Sequence, residues 1–208
     1  MPRAYLRLER GGAAFLAECT ETLEAFPGLE GILSPPLPIS FQSIWLETGF
    51  LPLAHLKLMR LDLGRPPTGD SDAVAGGRED FDQALAADEA AFPEFWRFDR
   101  PALEEALLST RRAIVHIVRT RRGTVAGYAV TGTGSVLAYL QRIAVDPACQ
   151  GQGVGRSLVR ASAAWAAGRG ARALLLNTPA ENLAAIALYE KAGFRTLDDE
   201  LVVMGRPS

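Results

Sequence analysis

The chain has 208 residues, of which 48% are apolar and 22% are charged, enough for one large globular domain or one and a half small ones. A formal net charge of −2 provides no basic field that would attract nucleic acid or an anionic membrane. The N-terminus lacks the apolar core of a signal peptide, and no apolar run approaches the ~20 residues that cross a bilayer. We therefore expect a cytoplasmic protein with neither nucleic-acid nor membrane partners.

Cysteine and histidine are too sparse to indicate a disulfide framework or a metal centre. The two cysteines are Cys19 and Cys149, and the two histidines are His55 and His116. None of them belongs to a cluster with the spacing of metal ligands. We therefore expect no metal.

A segment rich in turn-forming residues divides the chain. Residues 64–72 read Gly-Arg-Pro-Pro-Thr-Gly-Asp-Ser-Asp and are nearly devoid of apolar side chains, which is typical of a linker. The pattern predicts a front part over residues 1–63, a linker over 64–74 and a back part over 75–208.

The back part begins with two predicted helices. The first spans 79–92, where Phe81, Leu85 and Phe92 recur near helical spacing, and Pro93 ends it. The second starts around Pro101, because proline is favoured in a first helical turn. Four aromatic residues lie in the connection: Phe92, Phe95, Trp96 and Phe98. They could bind an apolar or aromatic ligand, or they could simply anchor the loop in the core.

Strands and helices then alternate. Residues 113–118, 124–131 and 136–145 are rich in β-formers and predict three strands. A glycine-rich loop, a helix to about residue 168, a strand at 173–177 and a helix at 182–192 follow. Short strands are predicted at 194–196 and 201–204. This order predicts an α/β fold with a mixed sheet.

The glycine-rich loop carries the strongest functional pattern. Residues 150–155 read Gln-Gly-Gln-Gly-Val-Gly and join a strand to a helix. Glycines let the backbone turn sharply, and the first N–H groups of a helix attract phosphate oxygens. The loop fails both the Walker A pattern and the dinucleotide fingerprint. A tight turn without a ligand remains the structural alternative.

The loop and its flanks resemble the GCN5-related N-acetyltransferases (GNAT). Residues 150–155 match the Gln/Arg-x-x-Gly-x-Gly/Ala loop of that family. Residues 140–147, Leu-Gln-Arg-Ile-Ala-Val-Asp-Pro, look like the central strand of that family, and residues 182–194 look like its last helix and exit. The resemblance is dense over 136–196. It implies the GNAT fold and acetyl-CoA as co-substrate.

The resemblance also implies roles for particular residues. The coenzyme A pyrophosphate would be held by Gln150, Gly151, Gln152, Gly153, Val154, Gly155, Arg156 and Ser157, chiefly through backbone N–H groups. The pantetheine arm would lie along Ile143, Ala144 and Val145, and the Val145 N–H would face the thioester oxygen. Asn182, Ala185 and Tyr189 share one helix face. Asn182 would contact pantetheine, cap the helix, or do both. Tyr189 would protonate the leaving thiolate, unless it is a core aromatic.

The general base is not identified by the sequence. Family members often carry a carboxylate on the central strand, but residues 139–142 read Tyr-Leu-Gln-Arg. Asp88 and Glu89 are candidates, although lone carboxylates more often face solvent. Cys149 has no histidine nearby in the sequence to activate it as a nucleophile, so we interpret it as a small loop residue.

These patterns lead to three hypotheses about function. The first is an N-acetyltransferase that acts on a small-molecule or peptide amine by direct attack, and the second is a non-catalytic acyl-CoA-binding module. The third, a nucleotide-binding protein, is disfavoured by the failed fingerprints. The acceptor and the oligomeric state, including a homodimer, are left open, since a fold does not choose among acceptors.

A short motif in the front part is similar to one in the back part. Residues 45–50 read Trp-Leu-Glu-Thr-Gly-Phe and parallel Tyr-Glu-Lys-Ala-Gly-Phe at 189–194, with Gly and Phe at the same spacing. Our hypothesis is a degenerate C-terminal half of a second GNAT unit, without a phosphate loop and with Trp45 in place of a catalytic tyrosine. Chance similarity is the alternative, because glycine commonly follows a helix.

Overall fold

A computed structural model describes residues 4–67, 69–134 and 136–207. Its contacts form two compact units, each described here by itself. Unit 1 comprises Met1–Leu58, Asn177–Leu183 and Thr196–Ser208, and unit 2 comprises Met59–Leu176 and Ala184–Arg195. The division differs from the predicted front and back parts, because each unit takes in a segment from the other side of the linker.

From α3 onward the helices and strands follow the predicted order. The helices are α1 (Ala13–Glu24), α2 (Ile39–Glu47), α3 (Phe81–Ala91), α4 (Arg100–Leu108), α5 (Val154–Gly168) and α6 (Leu183–Lys191). The strands are β1 (Ala4–Tyr5), β2 (Gly31–Leu33), β3 (Leu37–Pro38), β4 (Leu51–Asp62), β5 (Val74–Ala75), β6 (Arg112–Arg119), β7 (Val125–Thr133), β8 (Leu137–Val145), β9 (Ala173–Pro179) and β10 (Arg195–Pro207).

The sheet of unit 2 is mixed, as the sequence predicted. Its strands run in the order β9-β8-β7-β6-β5. Strands β5 to β8 pair antiparallel, whereas β8 and β9 pair parallel. The register of β7 and β8 shifts between Val130 and Thr131, which indicates a bulge at the position of Gln141.

Each face of this sheet carries its own apolar core. On one face α5 packs through Leu158, Val159, Ala163 and Ala166, together with Ala126 and Ala129 of β7. The same cluster includes Met59, Leu61 and Leu63. On the other face α3 and α4 pack through Phe81, Ala84 and Leu103 against Tyr128, Val130 and Ala144. Strand β7 is buried along its whole length, as expected for a strand covered on both faces.

Unit 1 is built on a smaller sheet. Strand β1 pairs parallel with β2, and β10 pairs antiparallel with β2 and β3. Its core is formed by Leu16, Ile32, Leu37, Trp45, Phe50, Val202 and Met204. Residues 201–207, which lie far along the chain from β2, therefore complete this sheet.

One sequence-based expectation needs correction. The short strands predicted at 194–196 and 201–204 form one strand, β10, which pairs with β2 and β3 and lies beside β4. Within the predicted linker, the Ser71 hydroxyl donates to the Ser157 carbonyl at 2.8 Å and Arg160 donates to the Asp70 carbonyl at 3.2 Å. Thr68 lies outside the described residues.

Candidate active site

The glycine-rich loop reaches α5 through two left-handed glycines. Gly151 has φ 76° and Gly153 has φ 87°, a region that residues with a Cβ rarely adopt. Gly153 occupies the N-cap of α5, and no side chain caps the helix there. The backbone at this helix start is therefore not covered by a capping side chain.

Helix geometry decides which loop N–H groups can bind a ligand. The Ser157 N–H donates to the Gly153 carbonyl at 3.0 Å, so it is already used inside the helix. The N–H groups of Val154, Gly155 and Arg156 precede that bond and have no acceptor within α5. Ser157 is buried and its hydroxyl accepts from the Asp72 N–H at 3.4 Å, so its backbone N–H and its side chain both have partners within the protein.

Other loop residues shape this helix start. The Gln150 amide donates to the Val145 carbonyl at 3.4 Å, and the Gln152 amide donates to the Ala148 carbonyl at 3.1 Å. Arg156 is exposed, and its guanidinium lies over Gly153, 3.3 Å from where a β-carbon would stand. A positive side chain therefore lies beside the free N–H groups.

Gly155 allows α6 to approach the start of α5. A β-carbon at Gly155 would lie 2.9 Å from Leu188 of α6 and 3.7 Å from Val145 of β8. The loop, the end of β8 and α6 are thus brought together in unit 2.

The end of β8 has an edge that faces away from β7. The N–H of Asp146, the residue after β8, donates to the Ala126 carbonyl of β7 at 2.9 Å. Backbone groups alternate sides along an antiparallel strand, so the N–H groups of Ile143 and Val145 point the opposite way. The backbone N–H and C=O groups of Ala144 point towards β7 instead. The parallel pairing with β9 covers only Leu137 to Tyr139 of β8.

Tyr189 lies in the core cluster on the α5 face, with 4% of its surface exposed. Its ring lies 5.7 Å from that of Phe194. Burial raises the pKa of the Tyr189 phenol above its ordinary value, and the positive charge of Arg142 partly offsets that rise. The phenol is therefore protonated at neutral pH. Ala185 is half-buried against the same cluster, and Asn182 directly precedes α6 in unit 1.

A buried network that the sequence did not predict lies on the other face of the sheet. Asp88, which is 0% exposed, accepts from Arg142 Nε and Nη2, each at 2.6 Å. It also accepts from the Tyr128 hydroxyl and the Phe98 N–H, both at 2.8 Å. The expectation that Asp88 faces solvent is wrong. Arginine in the middle of a buried strand was the available signal, since it needs a charged partner.

The remaining candidates have plainer environments. The Glu89 carboxylate is 71% exposed and lies 3.7 Å from Arg97. Cys149 is a free, half-buried residue packed against the core. Within residues 4–67, 69–134 and 136–207, no cluster of three His, Cys, Asp or Glu residues could hold a metal ion. In the same part of the chain, no helix is long and apolar enough to span a membrane.

The site thus combines a mixed sheet, the N-terminus of α5 and an edge of β8 that does not pair with β7. A profile of the acetyltransferase (GNAT) family matches residues 81–194. The chain belongs to the GNAT acetyltransferase family.

Relatives with different acceptors in their names match parts of the chain. The [ribosomal protein bS18]-alanine N-acetyltransferase of Escherichia coli strain K12 is 44% identical over 75 residues, covering 36% of this chain and 51% of that protein. The mycothiol acetyltransferase of Amycolatopsis mediterranei strain U-32 is 46% identical over 52 residues, covering 25% of this chain and 17% of that protein. The matched segments thus span about half the length of one relative and a sixth of the other.

The fold likeness extends over more of the chain. A tandem GNAT protein from the clavulanic acid biosynthesis pathway superposes with a TM-score of 0.65 at 16% identity, covering 93% of this chain and 69% of that one. This likeness shows the fold.

Proposed function

We propose that the chain transfers the acetyl group of acetyl-CoA to the primary amine of a small molecule or peptide, by direct attack on the thioester. The observation that carries the proposal is the meeting of two sets of backbone donors. The N–H groups of Val154 to Arg156 open at the start of α5, and the Ile143 and Val145 N–H groups line the edge of β8.

These groups suit the two ends of an acyl-CoA. A helix N-terminus carries partial positive charge that favours a diphosphate, and the exposed Arg156 side chain adds a full charge. The amide-rich pantetheine arm can pair with the strand edge, as an added strand would. The bound thioester supplies an activated carbonyl carbon.

The chemistry requires charge stabilisation and one proton donor. As the amine forms its bond to the carbonyl carbon, negative charge grows on the carbonyl oxygen. The Val145 N–H would stabilise this charge by donating a hydrogen bond to that oxygen. The carbon–sulfur bond then breaks, and Tyr189 gives its proton to the sulfur. Because the phenol pKa is raised, Tyr189 holds this proton throughout the neutral range. The amine loses its proton to solvent, and solvent returns a proton to the Tyr189 phenolate, so that the turnover ends with neutral Tyr189, the coenzyme A thiol and the N-acetylated product.

Binding and turnover of acetyl-CoA test the proposal. Calorimetry should show one acetyl-CoA bound per chain, and a thiol reagent should detect coenzyme A release with at least one amine of a panel. The panel contains a peptide with a free N-terminal alanine, an N-terminally blocked peptide with one lysine, and tryptamine. A wild-type protein that does not bind acetyl-CoA would contradict the proposal.

A non-catalytic acyl-CoA-binding module is the second candidate. It is favoured by the environment of Asp88, a candidate base, because its buried carboxylate already accepts four hydrogen bonds from other residues of the protein. Binding of acetyl-CoA without coenzyme A release from any amine of the panel would support this candidate.

We also propose that the front part is a degenerate half of a second GNAT unit. The Phe50 N–H donates to the Trp45 carbonyl at 3.0 Å, and the Phe194 N–H donates to the Tyr189 carbonyl at the same distance. Gly49 and Gly193 follow their helices with φ 83° and 93°. Both ring pairs are in contact, at 4.8 Å for the front and 5.7 Å for the back.

The order of elements agrees with this proposal. Strand β1, α1, β2, α2 and β4 match β8, α5, β9, α6 and β10, and β1 pairs parallel with β2 as β8 does with β9. The fold likeness to a tandem GNAT protein covers 93% of the chain. Because the front part lacks the glycine-rich loop, a stoichiometry of two acetyl-CoA per chain would contradict the assignment.

A further inference from the structure

Arg142 is the one charged residue of β8, the strand that we propose holds the thioester. Its side chain is 10% exposed. The guanidinium carbon lies 3.7 Å from the centre of the Phe92 ring and 4.3 Å from that of the Phe98 ring. The Nε and Nη2 atoms of Arg142 donate to the Asp88 carboxylate, and Nη2 also donates to the Trp96 carbonyl at 2.7 Å.

The partners of Arg142 converge on one segment. Phe92, Trp96 and Phe98 all belong to the connection 92–98 between α3 and α4, and Asp88 accepts from the Phe98 N–H. This connection has little regular structure, since only Glu94–Trp96 forms a single 3-10 turn. Arg142 and Asp88 therefore bind the segment through polar contacts, in addition to the packing of Phe92 and Phe98 against the apolar cluster.

Stability alone is a weak explanation for this arrangement. Burying two charges costs desolvation that their mutual attraction often only offsets, and an apolar packing of similar volume would serve as well. The planar fork of arginine, by contrast, fixes direction and distance at several partners at once. The network is suited to positioning.

The segment lies on the face of β8 from which we expect an acceptor to approach. Arg142 and Ala144 lie on the same face of β8, because side chains alternate, and Ala144 packs in the cluster of α3 and α4. The start of α5, where we place the pyrophosphate, lies on the opposite face. A thioester held at the edge beside Ile143 and Val145 is thus open to an amine from the face that carries residues 92–98.

We propose that Arg142 is a positioning residue that holds residues 92–98 as a wall of the acceptor site, with the Phe95 and Trp96 rings presented to an amine that carries an apolar or aromatic group. This inference rests on the proposed acetyltransferase function. The two rings form a T-shaped pair at 4.6 Å and are only half-buried. Such a pair binds apolar groups well.

The chain offers a control for the loss of an arginine that pairs with a buried aspartate. Arg119 of β6, whose side chain is 39% exposed, pairs with the Asp80 side chain, which is 6% exposed. Both pairs join an arginine of the unit 2 sheet to a buried aspartate near the start or end of α3. The partners of Arg119 are Asp80 and the Gly123 carbonyl, none of them in residues 92–98.

The test compares Arg142→Gln, Arg142→Lys and Arg119→Gln, with acetyl-CoA and the panel amine that the wild type converts fastest. For both Arg142 variants we expect KM for the amine to rise and kcat/KM to fall 10- to 100-fold, because a small misplacement of a reactant costs about that much. The Kd for acetyl-CoA should stay within about twofold of wild type. Arg119→Gln should lower Tm without changing the KM for the amine.

Each other outcome is informative. Lysine keeps the charge and loses the fork, so a fully active Arg142→Lys would overturn positioning in favour of charge alone. Equal kinetics for Arg142→Gln and Arg119→Gln would also overturn the inference, even with an active wild type. A wild type inactive on the whole panel overturns the proposed function and this inference together. If Arg142→Gln does not fold, Arg142→Lys and Asp88→Asn give the same comparison.

Discussion

Gly127 of β7 lies so close to Ala144 of β8 that a β-carbon at residue 127 would come within 2.6 Å of the Ala144 carbonyl oxygen. The same β-carbon would also lie 3.0 Å from Val154 at the start of α5. Backbone cannot rotate aside as a side chain can. This contact sets the position of the strand whose far edge carries the Ile143 and Val145 N–H groups.

Gly127→Ala should therefore displace the end of β8. We expect a loss of about 3 kcal/mol in the free energy of unfolding, at the upper end for overpacking, and at least tenfold weaker acetyl-CoA binding. Chemical denaturation and calorimetry measure the two effects. Gly134→Ala is the control, because a β-carbon there meets nothing within 4 Å. Similar behaviour of the two variants would show that β8 tolerates the shift.

Tyr189→Phe tests the proposed acid. The change removes only the hydroxyl, so we expect kcat to fall about 10²-fold or more, while acetyl-CoA binding and Tm change little. Because burial raises the phenol pKa, the wild-type rate should show no loss from Tyr189 ionisation up to pH 9. Tyr139→Phe, at a position 41% exposed on β8, is the control. An unchanged kcat in Tyr189→Phe would assign the ring to the core only.

His116 should make unit 2 sensitive to acid. It is 7% exposed, its Nδ1 has no partner within the described residues, and burial lowers the pKa of the imidazole to about 4. Between pH 6.5 and 4 the unfolded chain binds this proton and the folded chain does not. The contribution of His116 to the free energy of unfolding is therefore fully present above pH 6.5. It is lost as the pH falls from 6.5 to 4, by up to about 3 kcal/mol.

Urea unfolding at a series of pH values measures this contribution. His116→Gln should flatten the slope between pH 4 and 6.5, whereas His55→Gln, at an exposed position, should leave it as in wild type. An unchanged slope in His116→Gln would place the acid sensitivity elsewhere.

Met59 should be needed for unit 2 although it lies before the predicted linker. It is 0% exposed in the core cluster that contains Tyr189 and the inner face of α5. Met59→Ala should cost about 2–5 kcal/mol and reduce acetyl-CoA binding in proportion to the unfolded fraction. Leu53→Ala on the same strand, at a position 53% exposed, should cost less than about 0.5 kcal/mol. Thermal unfolding distinguishes the two.

Local pattern predicted much of this protein. Helices α3 to α6, strands β6 to β9 and the glycine-rich loop all follow from periodicity, proline and glycine within short windows, and their order predicted the mixed sheet. The family resemblance rested on the same local motifs. These features depend on neighbours in the chain, so they are legible in the sequence.

Tertiary structure decided three other matters. It placed Met59 in the core of unit 2 and residues 201–207 in the sheet of unit 1, although the linker pattern suggested otherwise. It buried Asp88 against Arg142, which lies 54 positions away. It also determined that the Ser157 N–H is used inside α5. Contacts between distant positions leave no periodic trace in one sequence, because burial and pairing are decided by which surfaces meet after the chain has folded.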